Sequence, residues 1–135
     1  MAMVRALDHV GIVVEDFAGL DAVLRGVLGL EVGAPEVEEA TAMEVLWVAA
    51  GPVQLQFIRP TRDDTGAAAV LRERGAGIHH LGLEVDDVAE ALTRLRDAGI
   101  ATRDAAPRPG ARGARVGFVD PGAVAGAEIE LVQRP

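Results

Sequence analysis

The stretch GAGIHHLGLEVDD (residues 75–87) holds two of the three histidines in the chain, side by side in an apolar run. It alternates: Leu81, Leu83 and Val85 fall on one face of a strand, and His80, Gly82 and Glu84 on the other. Adjacent strand residues point to opposite faces, so His79 and His80 do different work. The same pattern occurs earlier. Set over LDHVGIVVEDFAGLDAVLRGVLGLEV (7–32), the later run HHLGLEVDDVAEALTRLRDAGIATR (79–103) puts His80 on His9, Gly82 on Gly11, Val85 on Val14 and Asp87 on Asp16. His79 falls on Asp8. The module ends also match, LQFIRP (55–60) against IELVQRP (129–135). A repeat of this size implies two copies of one supersecondary unit.

Each copy opens with a strand and continues into a helix. Phe17, Leu20, Leu24, Val27 and Leu28 form one apolar stripe, and Val88, Ala91, Leu92 and Leu95 another. Gly29 and Gly99 stand where the helices should stop. Three short strands follow in each copy, expected at 30–33, 43–49 and 53–59, then at 100–103, 114–119 and 127–133. Residues 66–74 read as a connecting helix and PRPGARGA (107–114) as a turn. The expected fold is α+β: two βαβββ modules, about 5–60 and 77–133, paired into a cupped mixed sheet within one domain spanning 1–135.

Half of the 135 residues are hydrophobic, enough for a core, and it must be built from Val, Leu, Ile and Ala because aromatic residues are only 3%. No stretch is apolar for long enough to cross a bilayer, no secretory h-region opens the chain, and there is no cysteine. A cytoplasmic location is expected. The net charge of −8 argues against nucleic-acid and anionic-membrane partners. Ser, Cys, Lys, Tyr and Asn are all absent. That excludes a serine or cysteine nucleophile, a lysine Schiff base and a P-loop. His, Asp, Glu and Gln remain, and with them proton transfer or metal binding.

Parity along the strands selects the candidates. His9, Gln56, His80 and Glu130 fall on non-helical faces. With Val45 and Trp47 assigned to the apolar side, Glu44 joins them. Converging in one cup, two imidazoles, an amide oxygen and a carboxylate would suit a divalent ion, with Glu44 just outside as a base. Glu and Gln at alternate positions are also the ordinary solvent face of a sheet, and spacing alone does not separate the two readings.

LDHVGIVVED, GAGIHHLGLEVDD, PRPGARGARVGF and the terminal IELV together resemble the vicinal-oxygen-chelate superfamily of glyoxalase I, extradiol dioxygenases and bleomycin-resistance proteins. Within it the resemblance is to the methylmalonyl-CoA epimerase branch and covers nearly the whole chain. It implies one divalent metal ion (Co, Mn, Mg, Ni or Zn) on His9, Gln56, His80 and Glu130. It also implies Glu44 as a base at C2 of an acyl-CoA substrate, a stabilised enolate and a homodimer; returning a proton to the other face then requires a second acid, for which Glu130 and a metal-bound water are the candidates. The late segment DPGAVAGAEIEL (120–131) lacks the His, Lys and Ser common there. Three alternatives stay open: an extradiol dioxygenase using His9, His80 and Glu130, a glyoxalase I-like lyase, and a non-catalytic drug-binding protein.

Overall fold

A computed structural model of the chain describes residues 3–135. The chain falls into two compact units, His9–His79 in one, and the residues up to Asp8 together with His80–Pro135 in the other. The boundaries lie inside β1 (Val4–Val13) and β5 (Gly77–Val85), three to four residues away from where the sequence repeat places its modules.

In the first unit β1 pairs parallel with β4 (Val53–Pro60), β4 antiparallel with β3 (Met43–Ala50), and β3 antiparallel with β2 (Glu36–Glu38). The second unit repeats the scheme. There β5 pairs parallel with β8 (Ile129–Gln133), β8 antiparallel with β7 (Arg115–Phe118), and β7 antiparallel with β6 (Arg108–Pro109). The expected α+β architecture is present, and the strands at 43–49, 53–59 and 114–119 fall close to their expected limits. Segments 30–33 and 100–103 differ. Each makes a single bridge, Val32 to Val48 and Thr102 to Val119, and the extra strands form later, at 36–38 and 108–109. Gly33 and Pro35 interrupt the first of these segments.

The connecting helix α1 (Gly66–Arg74) lies where expected, with the Thr65 hydroxyl accepting from Ala68 N–H at 3.2 Å. Helix α2 (Val88–Asp97) starts at Asp87, whose carboxylate accepts from Glu90 N–H at 3.0 Å. Its apolar stripe, Val88, Ala91 and Leu92, packs with Val85, Val119 and Leu131. Gly117 makes this close approach possible: a Cβ there would stand 2.9 Å from Leu92 Cδ1 and 3.2 Å from Val88 Cγ1. Gly99, at φ +80°, ends the helical turn as its position predicts.

The first helical stripe needs correction. Ala22–Val27 is a π-helical turn, with Leu28 N–H donating to Val23 O at 2.9 Å. Phe17, Leu20 and Leu24 pack with Leu46, Val48 and Phe57. Val27 and Leu28 do not; they are 81% and 62% exposed. The wider turn rotates them off the face that a 3.6-residue period assigns. Among the described residues no helix is long and apolar enough to cross a membrane.

Candidate metal centre

Burial separates the candidates from ordinary solvent-facing residues. The polar side chains among the buried described residues are His9, Gln56 and His80, at 2%, 4% and 4% exposure. Glu130 is nearly as enclosed, its side chain 12% exposed. A sheet face turned to water would show the reverse, and buried polar groups are costly unless satisfied.

Each unit builds the same arrangement. In the second, β5 and β8 run parallel with Gly82 opposite Glu130. His80 lies two residues before Gly82, on the same face, and its Nε2 is 3.7 Å from Glu130 Oε1. In the first, β1 and β4 run parallel with Gly11 opposite Gln56, and His9 lies two residues before Gly11. In both, the glycine has no side chain to occupy the space over the first strand, so the Gln or Glu of the last strand has room beside the histidine. An aromatic edge closes each imidazole: Trp47 lies 6.0 Å from His9 and Phe118 5.9 Å from His80, ring centre to ring centre and near perpendicular. Trp47 is the register partner of Gln56, and Phe118 that of Glu130.

Gln56 Oε1 is buried without a hydrogen-bond partner among the described residues. An orphaned amide oxygen costs stability, and a cation would satisfy it. Each unit offers an imidazole nitrogen with an amide or carboxylate oxygen, donor types that Zn, Co, Ni and Mn accept and Mg tolerates. The donor chemistry of each unit fits a divalent ion.

Glu44 is not on this face. The β3–β4 register pairs Glu44 with Arg59, Leu46 with Phe57 and Trp47 with Gln56. Glu44 thus shares a face with Leu46, Val48 and Phe57, which pack under the helical turn, and its Oε1 accepts from Arg59 Nε at 3.3 Å. The sequence misleads here because Val45, Leu46, Trp47 and Val48 are all buried, leaving no alternation to read. The carboxylates that do share the Trp47–Gln56 face are Glu36 and Glu38, register partners of Val45 and Met43. Sequence reading passed over them, although the Glu-Val-Glu alternation at 36–38 carried the signal. His79, adjacent to His80 on β5, takes the opposite face, as parity predicts.

Two units with the same strand order, each offering a buried histidine and an oxygen-bearing side chain on its last strand, define a class. Residues 8–118 match the Glyoxalase/Bleomycin resistance protein/Dioxygenase superfamily, and the chain belongs to it. Similarity extends further, to one branch of that superfamily. The chain is 34% identical over 97% of its length to the ethylmalonyl-CoA/methylmalonyl-CoA epimerase of Cereibacter sphaeroides, covering 99% of that protein. Its fold matches the crystal structure of methylmalonyl-CoA epimerase from Mycobacterium tuberculosis with a TM-score of 0.89 and 29% identity, over 99% of this chain and 91% of that one. A variant of the Streptomyces coelicolor methylmalonyl-CoA epimerase in complex with 2-nitronate-propionyl-CoA matches at TM-score 0.85 and 29% identity, over 97% of this chain and 95% of that one.

Proposed function

We propose that the protein is a metal-dependent isomerase that epimerises methylmalonyl-CoA, or a closely related acyl-CoA, at C2. The observation that carries this reading is the burial of His9, Gln56 and His80, with Glu130, in matching places of two units, in a chain that aligns over nearly its whole length with methylmalonyl-CoA epimerases. His9, Gln56, His80 and Glu130 would hold one divalent ion. Such an ion polarises a thioester carbonyl and acidifies the adjacent C–H.

The chain's own groups supply the rest. Epimerisation breaks the C2–H bond, leaves the electron pair delocalised over the thioester, and returns a proton to the opposite face. It needs two acid–base groups and no nucleophile, in keeping with a chain that lacks Ser, Cys and Lys. Glu38, on the Trp47–Gln56 face of the first unit, takes the proton on one side. Glu130 of the second unit serves the other. Trp47 packs edge-on against His9 and Phe118 against His80, which fixes the orientation of each imidazole. A homodimer, on family resemblance, and a cytoplasmic location complete the reading.

The test is deuterium incorporation at C2 of methylmalonyl-CoA in heavy water. Metal-loaded protein should exchange far above the enzyme-free background, and chelator-treated protein should not. Glu38→Gln should lose the rate and Glu44→Gln keep it. Exchange at background with metal bound removes the epimerase reading; an unchanged Glu38→Gln rate removes the base.

A further inference from the structure

Phe118 lies opposite Glu130 in the β7–β8 register, with its ring against His80. Two guanidiniums converge on that ring. Arg103 Cζ and Arg108 Cζ each stand 5.3 Å from its centroid. The backbone places both. Arg103 N–H donates to Phe118 O at 2.9 Å, and Arg108 pairs with Val116, on the same face as Phe118. Both cations therefore stand over the sheet face that carries His80 and Glu130.

Each is braced by one carboxylate. Arg103 Nη2 lies 2.9 and 2.8 Å from the two oxygens of Glu128. Arg108 Nε donates to Asp104 Oδ1 at 3.0 Å, and Asp104 Oδ2 accepts from Phe118 N–H at 2.7 Å. The hydrogen bond to Glu128 raises the Arg103 pKa, against the lowering effect of burial, so this cation is permanent. A guanidinium has five N–H donors. One carboxylate leaves several unused, and the two side chains remain 45% and 48% exposed. The chain as a whole carries −8, and Glu130 adds negative charge beside His80. Beside the proposed ion, an anionic substrate gains from further local cations, and these two are anchored on the ring that touches the candidate ligand.

The span from imidazole to guanidinium, through a single phenyl ring, is too short for the phosphates at the far end of a pantetheine arm. It suits a carboxylate on the acyl group itself, which the planar fork of arginine binds in two-point fashion. We propose that Arg103 and Arg108, held on Phe118, recognise the acyl carboxylate and restrict the site to malonyl-type thioesters. This rests on the epimerase reading above.

The experiment compares methylmalonyl-CoA with propionyl-CoA, which differs by that carboxylate alone, on the metal-loaded full chain by calorimetry. In the Arg103→Gln/Arg108→Gln double variant, the Kd for methylmalonyl-CoA should rise at least about tenfold while that for propionyl-CoA changes less than about twofold. Arg108→Lys should recover part of the loss, and metal affinity by dye competition should stay at the wild-type value. Equal weakening of both ligands, or undiminished discrimination, overturns the proposal. The epimerase reading fails separately, as wild-type protein that binds methylmalonyl-CoA but gives no C2 exchange. Wild-type protein that binds neither thioester overturns both.

Discussion

Gln56→Met should move two observables in opposite directions. The buried Oε1 has no hydrogen-bond partner among the described residues. Leaving a buried acceptor unsatisfied costs about 1–3 kcal/mol. Methionine has a similar unbranched length and no such oxygen. Allowing for repacking and for the lost amide N–H, the metal-free variant should be as stable as wild type or more stable by about 1 kcal/mol. For a domain of this size that is a rise in Tm of about 4 °C. Metal loading should act the other way. At a free metal concentration of about 100 times Kd, the wild type gains about 2.7 kcal/mol. If loss of one of four ligands weakens binding about 100-fold, the variant gains only about 0.4 kcal/mol at the same concentration. Thermal melts of both proteins, with chelator and across a metal titration, measure all four quantities. A variant that unfolds in the metal-free state, or one that keeps the full metal-induced rise in Tm, refutes the assignment of Gln56 as a ligand kept at a cost to the empty protein.

Gly117→Ala would press a methyl group against Leu92 and Val88, and denaturant melts should show a loss of about 1–3 kcal/mol. Leu92→Ala, at a fully buried position, should lose about 2–5 kcal/mol in the same assay without changing metal stoichiometry. Asp87→Ala removes the cap on α2 and should cost about 1 kcal/mol, read from the urea midpoint. Arg59→Met strips Glu44 of its ion pair. Both groups are part-exposed, so stability should fall by no more than about 1 kcal/mol and C2 exchange should persist; lost exchange would return Glu44 to the chemistry.

Parity in β5 separated His80 from His79 because Leu81, Leu83 and Val85 alternate cleanly with polar or small residues. The repeat then singled out His9, and the last-strand alternation Gln54-Leu55-Gln56 and Glu128-Ile129-Glu130 pointed to the enclosed oxygen-bearing side chains Gln56 and Glu130. Where strands are apolar on both faces the signal vanished, which is why Glu44 went to the wrong side and only the β3–β4 register corrected it. Hydrogen-bond period is equally invisible in the sequence, and the π turn at Ala22–Val27 followed from no residue pattern. The unit boundaries inside β1 and β5 depend on long-range contacts that a linear repeat does not encode.

The two units differ at one telling place: Gly11 faces an amide, and Gly82 faces a carboxylate. With both imidazoles neutral, the four proposed ligands carry a single negative charge between them, and a divalent ion leaves the shell with one positive charge to spare. Two carboxylates would cancel it. In the proposed ligand set, glutamine at position 56 would therefore set an electrical bias as well as a bond: the loaded shell would keep a net positive charge, which favours an anionic acyl group before any proton moves. A Gln56→Glu protein would bind its ion more tightly and its substrate less so, and the duplicated fold lets one half be retuned this way while the other stays as it is.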